Sequence, residues 1–166
     1  YLGTVPVTFT ISPTSLTKEM FKIGDKAYTG EDVTLISSDI TAAFNSLPLE
    51  PGKDYTLSNY TANVNAGTAS VTITGQGNYK DAVTVNFTIT PMPLDAQMFA
   101  VAKKAYTGQE IQPAGNDITA MNGEKALTAG TDYTVESYAS NTNAGKATMT
   151  FKGAGNYTGS VPVEFT

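Results

Sequence analysis

The sequence predicts an all-β chain of two small tandem units, each a β-sandwich of Ig-like character, set end to end. Three observations predict it. A repeat of 78 residues runs through the chain, apolar and polar residues alternate in short stretches, and Gly, Asn and Asp punctuate both copies at the same offsets. A β-grasp-like unit carrying one short helix is the alternative.

The repeat is carried by Tyr28-Thr29-Gly30 and Tyr106-Thr107-Gly108, and by Asp54-Tyr55-Thr56 and Asp132-Tyr133-Thr134. Asn65-Ala66-Gly67 returns as Asn143-Ala144-Gly145, and Gly77-Asn78-Tyr79 as Gly155-Asn156-Tyr157. Residues 11–88 align on 89–166 without a gap, with 34 identities in 78 positions, about 44%. Residues 1–10 match the end of both units, so the length divides as 2 × 78 + 10 = 166. The expected organisation is therefore a terminal strand of a preceding repeat (1–10), repeat unit 1 (11–88) and repeat unit 2 (89–166). Starting in mid-strand, the chain reads as a piece of something longer.

Taken in order, Val5, Val7 and Phe9 pattern as a strand without its parent unit, expected to extend poorly packed or to borrow a partner. Pro13 and Pro91 stiffen the entries to the two units and favour a semi-rigid rod. Ile40–Phe44 has weak helical character, but its counterpart runs into Asn122-Gly123, a hairpin signal, so a shared path is β. Unit 1 lacks that Asn-Gly pair and is more apolar between Val33 and Leu49. The turns at 51–54 and 129–132 lead into strands over 55–60 and 133–138. Ala69, Val71 and Ile73, like Ala147, Met149 and Phe151, recur with period two. The same holds for Val83, Val85 and Phe87 and for Val161, Val163 and Phe165. The Gly-rich segments 75–78 and 153–156 make a hairpin of each such pair. Pro6 and Pro162 demand an edge position, because proline has no N–H to give a ladder.

Composition narrows the chemistry. The chain has 10 Lys and no Arg against 15 acids, a net charge of −5, and no His, Cys or Trp. A Ser-His-Asp triad, a thiolate nucleophile, a conventional zinc site and a disulfide framework are all excluded. Nucleic-acid binding is not expected without clustered positive charge. No apolar run is long enough to span a membrane. Thr, at 26 residues, and Asn, at 11, are compatible with an extracellular setting.

In the order Tyr-Thr-Gly, Asp-Tyr-Thr, Asn-x-Asn-Ala-Gly, Gly-x-Gly-Asn-Tyr and a closing Val-x-Val-x-Phe-Thr, both units resemble tandem repeats of large secreted and wall-anchored bacterial proteins. These are known loosely as Ig-like or MBG-type repeats. The resemblance implies a stalk or adhesion module at the cell surface or cell wall, and it brings no catalytic residues.

Each candidate site has a competing structural explanation. The eight repeated tyrosines would serve as a sugar-stacking platform, or else hold the fold with buried rings and bonded hydroxyls. A ligand site private to one unit should use residues that differ between units, here Phe44 and Leu47 or Glu124 and Lys125. Asp39, Asp54, Asp117 and Asp132, with Asn63, Asn65, Asn141 and Asn143, offer oxygens to calcium but lack the acidic run it needs, and Asx-turns suit them better. Lys26 and Lys104 with the repeated asparagines raise an intramolecular isopeptide bond. Asn59, Asn86 and Asn156 fit a glycosylation sequon that a Thr-rich chain produces by chance.

The expected function is a non-catalytic extracellular spacer or adhesion scaffold, monomeric, with no cofactor, no metal and no membrane insertion. Its partners would be neighbouring repeats and, beyond them, cell-surface or host glycans or proteins. The alternatives are a glycan-binding module and an accessory domain of a secreted carbohydrate-active enzyme.

Overall fold

The computed structural model describes Gly3–Thr166. Among the described residues the protein is all-β, and its only helices are single 3₁₀ turns at Lys18–Met20, Ser37–Asp39, Ala96–Met98 and Gly115–Asp117. A β-grasp unit needs a helix across its sheet, and none forms. Ile40–Phe44 is a strand.

The chain divides into two compact units. The first comprises the stretch up to Lys26, Asp32–Asn63 and Thr68–Thr88, and the second comprises Ala27–Glu31, Val64–Gly67 and Ile89–Thr166. Two loops that lie within the first sequence repeat thus belong to the second compact unit.

In the first unit Phe21–Ile23, Ile40–Phe44 and Leu47–Pro48 form an antiparallel sheet. A four-stranded sheet has the order Lys26–Ala27, Ala82–Thr90, Gly67–Gly75, Tyr55–Thr61. Period two explains its burial: Ala69, Val71 and Ile73 are buried while Ser70, Thr72 and Thr74 reach toward the other face. The edge of the Phe21 ring meets the Tyr55 ring at 5.2 Å. The second unit repeats this with Phe99–Val101, Ile118–Asn122 and Lys125–Ala126 in one sheet, and Tyr133–Ala139, Ala147–Gly153 and Ser160–Phe165 in the other. Here Phe99 of one sheet stacks on Phe151 of the other at 4.1 Å, with Tyr133 edge-on to both. Each such ring contributes roughly 1.5–3 kcal/mol by burial.

The glycine-rich hairpins form as the pattern predicts, for a steric reason. A Cβ on Gly75 would stand 2.7 Å from the Lys80 backbone nitrogen, and one on Gly153 2.5 Å from that of Thr158, so only glycine lets the returning chain cross. After each crossing a two-residue strand, Tyr79–Lys80 or Tyr157–Thr158, pairs in parallel with Thr14–Ser15 or Met92–Pro93.

The turn expected at Asn122-Gly123 is displaced by one residue. Asn122 is the last paired position, opposite Lys125, so Gly123 and Glu124 make the loop. Gly123 takes φ 59° there, and the Asn122 side chain is left to donate to Tyr157 Oη at 3.3 Å. The first unit closes the same hairpin without glycine, because Asn45 and Ser46 both accept positive φ, 50° and 67°.

Pro162 lies on Ser160–Phe165, the edge strand of its sheet, opposite Thr150. Pro6, by contrast, lies in no strand. The strand expected over 1–10 includes Tyr1 and Leu2, which lie outside the described residues. From Gly3 to Thr10 no strand forms, and Val5, Val7 and Phe9 are each more than four-fifths exposed.

Candidate functional site

Seven of the eight repeated tyrosines are buried or half-buried, so no aromatic platform faces solvent among them. Their hydroxyls are used locally. Tyr60 Oη accepts the Leu35 N–H at 3.1 Å. At the equivalent place the second unit has Pro113, which has no N–H, and Tyr138 Oη instead donates to the Pro113 carbonyl at 3.0 Å. The hydroxyl reverses its role to match its partner. Burial raises the pKa of Tyr138, and likewise that of Tyr133.

The polar residues considered as ligands are also engaged in the fold. Asp54 and Asp132 are buried, and each accepts a backbone N–H four residues earlier, from Glu50 and Thr128 at 2.9 Å. Asn63 and Asn141 bond the carbonyls of Val33 and Ile111 through their amides, at 3.0 and 2.9 Å. Lys26 Nζ pairs with Asp39 at 2.7 Å, and Lys104 pairs with Asp117. These lysines hold both carboxyls below the usual range, with help from the Ile36 and Ala114 N–H groups. Among the described residues no three acidic side chains gather as a metal site would need.

Phe44 and Leu47 sit at the last pair of one hairpin: Phe44 meets the Tyr79 ring edge-on at 6.1 Å and Leu47 is 65% exposed. Glu124, in the loop of the other hairpin, and Lys125, which follows it, are both exposed. Lys125 Nζ donates to Tyr28 Oη at 2.6 Å and lies 5.3 Å from the centre of that ring. The hydrogen bond to Tyr28 raises the lysine's pKa.

Around Tyr28 the second unit builds a closed cluster. Its ring is 1% exposed, its N–H donates to the Thr90 carbonyl at 2.9 Å, and the Tyr157 ring lies edge-on at 5.7 Å. Beside it, Asn156 accepts the Ala66 N–H at 2.8 Å and donates to Asn65 Oδ1 at 3.0 Å. Ile89 is fully buried.

The residue 78 positions after Tyr28 behaves otherwise. Tyr106 is 63% exposed and lines a cavity of about 290 Å³ with Lys104, Asn143, Lys146 and Phe165. Lys146 is held at the rim by Glu164 at 2.7 Å. The cavity presents two aromatic rings, Tyr106 and Phe165, two amides, Asn141 and Asn143, and two lysines already paired with acids. Tyr106, considered for sugar stacking, and Asn143, considered for calcium, here line one cavity together with Lys146, which the sequence did not single out. The available signal was Lys146, which stands where the first repeat has Thr68 beside an otherwise identical Asn-Ala-Gly loop. Comparison of the chain with protein-family models and with curated proteins gives no match.

Proposed function

We propose that the chain is a non-catalytic repeat module of a bacterial surface protein, serving as a semi-rigid spacer or adhesion scaffold outside the cell. The observation that carries this reading is where the repeated residues go. Tyr28, Tyr55, Tyr60, Tyr133, Tyr138 and Tyr157 pack or bond within the fold, and the repeated aspartates and asparagines cap turns and loops. A module that bound along its sides through these rings would expose the same tyrosine in each repeat, whereas Tyr106 is open and its counterpart Tyr28 is buried. The resemblance in motif order supports the same class, and extended Pro-containing joins favour restricted hinge motion.

A glycan array probed with this chain tests the reading. Absence of saturable binding is the expected result, and saturable binding to one glycan class would replace the spacer by a glycan-binding module. Small-angle scattering on chains of two, three and four repeats supplies the positive counterpart. A spacer predicts that the maximum dimension grows by a constant increment per repeat.

A further inference from the structure

We propose that the face around Tyr106 is a docking surface for a further repeat of the same kind, closing over Tyr106 as the second unit closes over Tyr28. The inference deepens the tandem-module reading and rests on it. Its basis is one pattern, present in a closed form and in two open halves.

The closed form lies within the second unit, where Tyr28 is enclosed by Thr90, Lys125 and Tyr157, and Asn156 ties down Asn65 and Ala66. The first open half is the Tyr106 cavity, also in the second unit. Its Lys104, Tyr106, Asn143 and Ala144 stand 78 residues after Lys26, Tyr28, Asn65 and Ala66. The second open half lies in the first unit, a groove of about 240 Å³ lined by Ile11, Pro13, Asn78 and Tyr79. Those residues stand 78 before Ile89, Pro91, Asn156 and Tyr157. Exposure follows the same division: Ile89 is 0% exposed and Ile11 83%, Tyr28 is 1% and Tyr106 63%. Each open half therefore carries most of the side chains that its closed counterpart uses, Leu47 standing in the first unit where the closed form has Lys125, and lacks the opposing face.

The contact is heterologous, tyrosine loop on one side and Gly-Asn-Tyr hairpin on the other, so it extends an array instead of closing a ring. The cavity suits the occupant chemically. Phe165 and Tyr106 offer apolar surface to a tyrosine ring, while Asn143 and the Ala144 N–H repeat the groups that grip an asparagine side chain at Asn65 and Ala66.

The test compares this chain with the same chain extended after Thr166 by a second copy of residues 89–166, using nitration by tetranitromethane mapped by peptide mass. Covalent linkage supplies the docking face at high effective concentration. In the 166-residue chain Tyr106 should nitrate readily and Tyr28 should resist. In the extended chain Tyr106 should become as resistant as Tyr28, and the appended counterpart of Tyr106 should take over as the reactive ring. Tyr106 remaining fully reactive while the appended counterpart of Tyr133 is protected would overturn the proposal and leave the cavity to some other occupant. A second measurement needs no extension: Lys125→Ala with Tyr157→Leu should open Tyr28 to nitration, and continued protection would sink the proposal at its template. Glycan binding, which would defeat the spacer reading, leaves the Tyr106 comparison unchanged.

Discussion

Tyr28 and Tyr106 occupy the same Lys-Ala-Tyr-Thr-Gly sequence, yet one ring is 1% exposed and the other 63%. Local sequence therefore sets the loop, and what lies opposite sets the burial. The loops themselves agree: Gly30 and Gly108 take φ 90° and 77°, and Thr29 and Thr107 accept the N–H two residues on at 3.3 Å. The difference is confined to Lys125, Tyr157 and Thr90, which surround Tyr28 within the second unit. Tyr106 has no such set among the described residues that line its cavity.

The largest effect should come from truncating the buried ring. Tyr28→Ala should cost about 3–5 kcal/mol, the usual range for a large buried aromatic, whereas Tyr106→Ala should stay within about 0.5 kcal/mol as an exposed change does. Urea unfolding of both variants measures this, and comparable losses would break the comparison. The next effect concerns the cation. Lys125→Ala removes a charged hydrogen bond and a cation over the ring, worth about 1–2 kcal/mol together at a partly exposed site. Its counterpart Leu47 is 65% exposed, and Leu47→Ala should be nearly silent. A large loss at Leu47 would show that the open face of the first unit is packed in solution.

A smaller effect separates Tyr60 from Tyr138. Tyr60→Phe strands the Leu35 N–H, and Tyr138→Phe leaves only a carbonyl that tolerates incomplete bonding better. Each should cost about 1 kcal/mol, with Tyr60→Phe the costlier of the two. The reversed role also makes a sharper test. Leu35→Pro removes the donor, and the structure of the second unit predicts that Tyr60 Oη then turns to donate to the carbonyl, recovering part of the loss.

Much of the fold was legible in the sequence, because period two and turn chemistry act locally. Val71 and Ile73, or Met149 and Phe151, announce a strand with one buried face, and Gly75 and Gly153 mark where the chain crosses itself. The hairpin at Asn45-Ser46 was hidden, since two non-glycine residues accept positive φ there and leave no dipeptide signature. The one-residue shift at Gly123 was hidden for a related reason: Asn122 is drawn into the sheet by its bond to Tyr157, a contact between positions 35 apart. The Tyr106 cavity was the least legible feature. Tyr106 sits in the same local sequence as the buried Tyr28, so nothing near it in the chain announces its exposure.

The smallest predicted effect is acid dependence, and it again sets one repeat position against the other. Asp39 is held below its ordinary 3.8, first by the hydrogen bond from Lys26 and then by the Ile36 N–H. Asp117 is lowered in the same direction by Lys104, but its bond from the Ala114 N–H is 3.4 Å against 2.9 Å for Ile36 to Asp39. A depressed folded-state pKa means that near 3.8 the unfolded chain binds more protons than the folded one. The contribution is therefore complete above that value and is lost as pH falls through the lower folded value. Asp39→Asn should flatten the decline of stability as pH falls below about 4, with little further change near neutrality beyond its constant cost. Asp117→Asn should flatten it less, because its longer backbone bond gives the carboxylate weaker support. Urea midpoints across that range check the order, and an equal or greater flattening by Asp117→Asn would show that the lysine pair alone, and not the backbone bond, sets the difference.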